Sequence, residues 1–529
     1  MTPRVRPQPP LARIRWGTKA LAGAAALTVT LAGCSGTAGQ TSSAGGEAGE
    51  GGGDGGTIVV GITSDPDTLF PWKATQFQAV NMLGLVYGTL TELTDKLEVA
   101  PGLAEKWAYS DDGKTLTLTL RKGVKFADGT DLTSADVKYS LDTIKLEATA
   151  AVASSTLGSV SAVEAPDSGT VVLRLAAPDA ALLASLSTVN LAILKKGSTE
   201  AALAKTVNGT GPFTVAQRKP SQSVVLAANK AYWKGAPKLD GVEFRIIPDE
   251  TSVVSGMQSG AIQMATLDDP LVAKTAEGSG LTVTKTPQLS YHALQLKASA
   301  APLDDPNLRL AIQCGIDRKQ VLDTAAGGEG EVTGPITSPA YKSDPNARPC
   351  PTRDVAKAKE YLAKSKTPTG VSIKTIVSQG EYATSVNEAQ SLKAQLAEVG
   401  ITLDLDVLES GAFVKRWVDA DFQAAVALNG GRPDPDAMYG RYFTAKGNLN
   451  NVAGYSSPAL DQLFATGKSE TDPAKRKAIY GELSKTLEDN AAWVWLFTGY
   501  TYTATTAPVK GFQPLATGSL LGLRDATVK

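Results

Sequence analysis

The run from Ala20 to Leu31 is twelve residues long, and it limits the fold more than any other feature, because a helix needs roughly 20 apolar residues to cross a bilayer. No other apolar stretch in the 529 residues approaches that length. The rest of the chain must therefore bury its apolar side chains in cores of its own. At roughly 100–200 residues per domain, the length predicts two to four domains.

The flanks of the run give it a purpose. Arg4, Arg6, Arg13, Arg15 and Lys19 surround its start without a single acid, and Leu31-Ala32-Gly33-Cys34 closes it. A basic start, a short apolar centre and small residues before a cysteine describe an export signal over residues 1–33, in the order of a bacterial lipobox. Cys34 is the expected lipidation site, which places the protein on the extracytoplasmic face of the cell membrane, held by a lipid anchor. No paired arginines precede the run, so the general secretory route is expected. Residues 34–56 are nearly all Gly, Ser, Thr, Ala and acid, the composition of a flexible tether. Gly51, Gly53 and Gly56 have the spacing of a phosphate-binding loop, but no strand precedes them and no helix follows, so no phosphate site is expected.

The chain counts 52 Lys plus Arg against 53 Asp plus Glu. Once the five cations of the signal are removed, 47 face 53 and the net charge is -6. That is not the basic footprint of a protein that tracks phosphates, and no nucleic acid partner is expected. The single histidine, His292, excludes clustered imidazole sites, and no cysteine pair has zinc spacing; neither a metal nor a cofactor is expected. Gly467-Lys468-Ser469 lacks the first glycine of a nucleotide loop, since Gln462 stands there, and no Gly-x-Ser-x-Gly elbow occurs. The reading is a protein that is not an enzyme, with a hydrolase built on the carboxylates Asp434 and Asp436 left open by counting alone.

Periodicity argues for a mixed α/β protein. Thr57 to Thr63 is compact and β-branched, and Thr115 to Arg121 alternates strictly, with three leucines on one face. Thr133 followed by Asp136 has the spacing of a capping box before a helix. Asp167-Ser168-Gly169-Thr170 separates two strand-like runs as a hairpin does. Ala389 to Val399 reads as a helix stopping at Gly400 before the strand Ile401 to Val407. No period of 20–50 residues repeats, which excludes a solenoid or propeller.

Several segments together resemble a known family. They are Leu103-Ala104-Glu105-Lys106-Trp107, Gly123 to Gly129, Ala135-Asp136-Val137, Gly209-Thr210-Gly211-Pro212-Phe213, Asn229 to Trp233 and Ser259 to Ile262. The C-terminal half adds Leu303-Asp304-Asp305, Ile316-Asp317-Arg318, Asp434-Pro435-Asp436 and Asn450 to Tyr455. In order and spacing these resemble solute-binding protein family 5, the dipeptide-, oligopeptide- and nickel-binding lipoproteins of ATP-binding-cassette importers. The resemblance implies an α/β, three-lobed clamp of the periplasmic-binding-protein kind (type II, cluster C), with mixed sheets and a hinge between two main lobes. It implies a discontinuous first lobe at 57–88, 205–290 and 500–529, a second lobe inserted at 89–204, and a third at 291–499. The implied partners are a peptide or other small-molecule solute and the permease subunits of an importer, with the protein itself a monomer. A ligand sensor or adhesin would share the fold.

In peptide-binding members of the family, an aspartate shortly before the Asp-Pro motif receives the peptide α-ammonium. Here the stretch reads Asn429-Gly430-Gly431-Arg432-Pro433-Asp434-Pro435, with Gly431 where that acid is expected and Arg432 beside it. The consequence expected is a protein that does not capture free peptide N-termini in the usual way and prefers an anionic, blocked or sugar-like solute. The alternative is a shift of register, with Asp434 or Asp436 taking the role. Asn429, Arg432 and Asp434 are thus candidate ligand-binding residues. Trp72, Thr75 and Gln76 after the first strand join them, with Tyr291, His292 and Gln295 at the crossing into the third lobe, and Trp493, Trp495 and Tyr500 at the crossing back. Each has a bland reading beside the functional one: Trp493-Val494-Trp495 alternates like a strand with one face in the core, and a lone His292 suits a satisfied polar residue. Tyr232 and Trp233 read as packing aromatics, and Asp317-Arg318 falls near the middle of a helix.

With Cys34 carrying lipid, Cys314 and Cys350 remain as an even pair in an oxidising compartment. A disulfide between them is expected, the alternative being two buried free thiols.

Overall fold

The computed structural model describes residues 55–379 and 384–528. The export signal at 1–33, Cys34 and all of the tether except Gly55 and Gly56 lie outside the described residues.

Thr57–Ile62 lies inside a seven-stranded sheet, paired in parallel with Gly241–Ile246 on one side and Met264–Leu267 on the other. Antiparallel strands extend it to Phe213–Lys219 at one edge and, through Tyr500–Thr505, to Thr282–Pro287 at the other. A second, four-stranded antiparallel sheet joins Ala104–Tyr109, Thr115–Leu120, Thr170–Leu175 and Val160–Asp167. In Thr115–Leu120 the side-chain period of two sends Leu116, Leu118 and Leu120 inward and leaves the threonines outside the core. The helix Ser134–Lys145 packs on this sheet, and its start is tied by Asp136 Oδ2, which accepts the Thr133 backbone N–H at 2.8 Å. One apolar cluster runs from Ile58 and Phe244 through Leu116 and Leu118 to Val137, so the two sheets share a core.

A six-stranded mixed sheet forms the other body, in the order Glu331–Val332, Trp493–Thr498, Tyr291–Leu296, Ala424–Asn429, Val371–Gln379, Ile401–Glu409. Its central strands Tyr291–Leu296 and Trp493–Thr498 are buried at every position. Val494 and Leu496 point into one apolar cluster, and Trp493 and Trp495 into another on the opposite face. Such double burial is what strands covered by helices on both faces experience. The Trp-Val-Trp alternation therefore marks two cores, where the sequence suggested one.

Asp-Pro pairs start four of the helices. Asp269, Asp305, Asp434 and Asp472 each accept a backbone N–H from the first turn, and the proline that follows occupies a position whose own N–H would go unused. Asp317 is a cap as well, with its Oδ1 accepting the Gln320 N–H at 2.9 Å. This corrects its placement near mid-helix: Arg318 is the first helical residue, and its buried Nε donates to the Trp495 carbonyl at 2.8 Å. The helix Ser385–Ala397 ends before Gly400, whose φ of +98° reverses the chain into Ile401–Glu409. Cys314 and Cys350 form a disulfide with a Cα–Cα distance of 5.1 Å, inside the same cluster as Val494. Among the described residues no helix is long and apolar enough to cross a membrane.

The chain passes between the seven- and six-stranded sheets twice, at residues 288–290 and at Gly499. The crossings are bonded to each other: Gln288 N donates to the Gly499 carbonyl at 2.9 Å, and Gln288 Nε2 to the Tyr500 carbonyl at 3.2 Å. Two short, adjacent crossings are the form a hinge takes, because few dihedrals need to change to rotate one body against the other.

Candidate functional site

The seam between the two bodies holds three adjoining cavities of about 440, 520 and 490 Å³. Val80, Thr188, Asn190, Arg432 and Pro433 line both of the first two, and Ala184, Pro433 and Asp434 line both of the last two. They form one continuous cleft, with Pro433 on the wall of all three. That wall is the short connection from strand Ala424–Asn429 to helix Pro435–Phe443. The facing wall comes from both of the other sheets' territory, including Phe77, Asn190 and Trp233.

Gly431 sits where this wall passes closest to the crossing. A Cβ built there would lie 1.7 Å from the Leu289 carbonyl oxygen, so the backbone admits no side chain at this position. An aspartate at 431 is incompatible with the local path. Arg432 next to it is exposed in the cleft, and Arg441 enters from one face of the following helix, its guanidinium 4.6 Å from the centre of the Tyr442 ring. Neither arginine has a carboxylate partner among the described residues, and Arg441 Nε is buried with no hydrogen-bond acceptor.

The acids of the cleft are differently placed. Asp434 is buried, and Arg476 grips both its oxygens, Nη1 to Oδ2 at 2.5 Å and Nη2 to Oδ1 at 3.1 Å. Arg476 is itself anchored by the Gly467 carbonyl at 2.8 Å and the Tyr480 hydroxyl at 3.1 Å. Asp434 is thus a helix cap and an ion-pair member as well as a lining residue of the cleft, and its engagement with Arg476 deprives a two-carboxylate hydrolase of a free base. Asp436 lies behind it. Burial, with the charges of Asp434 and Asp179 adding to it and Lys468 at 3.8 Å opposing, pushes its carboxyl up to about 6.

A carboxyl whose folded pKa is raised binds its proton more tightly folded than unfolded, so its contribution to stability declines as pH rises from about 4 to about 6. The difference in urea midpoint between wild type and Asp436→Asn is expected to move in the variant's favour across that window. A difference that stays flat from pH 4 to 7 would contradict the raised value.

Of the twelve residues proposed from sequence, Thr75, Arg432 and Asp434 line the cleft. Thr75 is exposed, with its hydroxyl given to Asp67 Oδ2 at 2.7 Å; Gln76 is exposed beside it, at the N-cap of helix Phe77–Leu83. The others are corrected. Trp72 is fully buried and donates Nε1 to the Ala192 carbonyl at 2.9 Å. Tyr291, Trp493 and Trp495 belong to the core against Tyr439 and Phe443. Gln295 is buried and accepts from Trp417 Nε1 at 2.6 Å, and Asn429 is buried beneath Tyr442, whose hydroxyl it accepts at 3.3 Å. His292 stacks on Phe497 with centroids 4.2 Å apart, its Nδ1 2.8 Å from Glu388. Tyr500 donates to the Gly330 carbonyl at 3.1 Å. Of the residues chosen for lying near the crossings, Tyr291, His292, Gln295, Trp493 and Trp495 are buried in the six-stranded body, while Tyr500 is half-buried.

Phe77, Asn190 and Arg441 escaped the sequence reading, and Trp233 reads there only as a packing aromatic. Trp233 could have been found, since Asn229 to Trp233 is among the family-like segments; its ring lines the cleft and stacks under the Arg121 guanidinium at 4.8 Å. Arg441 carries no local signal.

The family "Bacterial extracellular solute-binding proteins, family 5 Middle" matches residues 98–450. The glutathione-binding protein GsiB of Escherichia coli is 25% identical over 470 residues, covering 86% of this chain and 91% of that one. Among solved structures, the ABC transporter-associated periplasmic binding protein DppA of Helicobacter pylori in complex with the peptide STSA is 25% identical, with a TM-score of 0.68 over 90% of this chain and 98% of that one. MppA, a periplasmic murein tripeptide binding protein in its unliganded open form, is only 20% identical yet superposes at a TM-score of 0.80, over 89% of this chain and 97% of that one. The chain belongs to the bacterial extracellular solute-binding proteins of family 5, with their α/β clamp fold.

Proposed function

We propose that the protein is the extracytoplasmic, lipid-anchored solute receptor of an ATP-binding-cassette importer, taking a peptide-like solute into the cleft between its two bodies and presenting the closed form to permease subunits. The export signal at 1–33 and Cys34 supply the route and the anchor, and the lobes at 57–88, 205–290 and 500–529, at 89–204 and at 291–499 supply the moving parts. The observation that carries this reading is a continuous cleft across a double chain crossing, in a family of solute-binding proteins. A relative named for binding glutathione and a neighbour holding a tetrapeptide support a solute of peptide size and polarity. Closure is favoured only by the extent to which the solute contacts the closed state better than the open one. Such a receptor returns its ligand unchanged, so solute released from the purified protein is expected to be intact by mass spectrometry.

The steric exclusion of an acid at 431 favours a solute without a free α-ammonium at that point. Calorimetry on the full chain is expected to show that N-acetylation of di- to pentapeptides leaves their affinity within about threefold. Micromolar binding of the unmodified peptides with a loss of about tenfold or more on acetylation, the effect of a missing charge-assisted bond, would sink the idea.

A further inference from the structure

We infer that Arg432 and Arg441 form an anion-binding subsite, so that the solute carries a carboxylate or chemically equivalent acidic group seated against the wall at 431–441. The inference rests on the solute-receptor reading and specifies its substrate class.

The charges facing the two cavities that share Arg432 settle into two groups. Every carboxylate there is already matched: Glu92 by Lys234 at 2.7 Å and Arg524 at 3.3 Å, and Asp434 by Arg476. Both arginines are not. Arg432 and Arg441 line the cavity of about 520 Å³ with no carboxylate partner among the described residues, and Arg441 Nε is shielded from water with no acceptor. Two guanidinium groups on one cavity wall with no counter-charge among the described residues are the complement of an acidic group.

Closure turns this excess into selectivity. Rotating the bodies together removes water from the cleft, and two desolvated guanidinium groups without a counter-charge oppose that step. A carboxylate offers acceptors in the fork geometry that guanidinium groups match. Thr188 on the facing wall lines the same cavity with a hydroxyl that can donate, so the acid would be met from both bodies, whereas both Asn190 N–H groups are held by the Pro71 and Ala74 carbonyls at 2.7 and 2.9 Å. Selection for a negative solute is thereby built into the hinge motion, with a neutral solute leaving both cations unmatched.

Calorimetry on the full chain tests this with two probes, acetyl-Ala-Ala-Glu and its uncharged counterpart acetyl-Ala-Ala-Gln-amide. The acidic probe is expected to bind about 100-fold more tightly, and Arg432→Gln and Arg441→Gln are each expected to reduce that ratio about tenfold, with Arg432→Lys retaining part of it. The ratio is the readout, since a variant that only disturbs packing weakens both probes alike. Equal affinities in the wild type, a ratio kept by both glutamine variants, or no binding of the acidic probe each overturns the subsite. Tight binding of the neutral probe would do so while leaving the solute-receptor reading intact. That reading falls as well only if neither probe binds and native mass spectrometry finds no co-purified solute.

Discussion

Replacing Asp434 with alanine is expected to destabilise the protein by about 3–5 kcal/mol, because it leaves the Arg476 guanidinium buried without its counter-charge. Both side chains are at most 5% exposed, so water cannot take over the lost carboxylate. The same substitution removes the N-cap of helix Pro435–Phe443, a loss of about 1 kcal/mol on its own. Urea unfolding followed by tryptophan fluorescence measures the sum, since Trp493 and Trp495 are buried in the adjoining core. Asp434→Asn should fall between, because asparagine still caps but cannot neutralise Arg476. Asp434→Ala combined with Arg476→Met should cost less than the two single changes together, since no orphaned charge remains. A variant that unfolds like the wild type and instead loses solute affinity would return Asp434 to the ligand contacts.

Asp434 also shows what could be read from the chain and what could not. The Asp-Pro pair is local chemistry, a cap followed by a residue that needs no N–H, and the sequence carries it in full. The partner 42 positions away is a matter of tertiary contact, and without Arg476 in view an acid beside a cleft reads as a ligand. Fold class was legible for the same reason as the cap: Leu116, Leu118 and Leu120 alternate, Gly400 breaks a helix, and each signal spans a few residues. Site residues were less so. Trp72 was picked as an aromatic in the loop after the first strand and Trp495 as one near a crossing, but an aromatic has as much to gain from a core as from a solute, and burial is decided by elements far away in sequence. Arg432 was legible because charge next to a glycine stood where an acid was expected. Arg441 needed the helix Pro435–Phe443 to turn it towards the same cavity. Gly431 lies between these cases: the missing acid is visible in the sequence, while the Leu289 carbonyl that forbids it belongs to the other side of a strand pairing.

Reduction of the Cys314–Cys350 disulfide, or its removal by the double alanine variant, is expected to cost about 3–4 kcal/mol of stability, the chain-entropy value for a loop of this size. The residues are 36 apart in sequence, and the intervening chain includes helix Arg318–Ala326 and strand Glu331–Val332, so the bridge restrains an unfolded loop that otherwise has wide freedom. Both cysteines are almost fully buried against Val494 and Leu496, on the face of the six-stranded sheet opposite Trp493 and Trp495. Neither lines any of the three cavities. Stability and solute binding should therefore separate. A lower urea midpoint with dithiothreitol is expected, alongside unchanged affinity for any solute the protein binds at low denaturant. The location of the protein bears on the same experiment, because a buried disulfide persists where no cytosolic reductant reaches it and an exported chain meets that condition. Alkylation of the unreduced, denatured protein should label neither Cys314 nor Cys350. Labelling of both would show that the pair is reduced as isolated, and would remove both the stability increment and one support for an oxidising compartment.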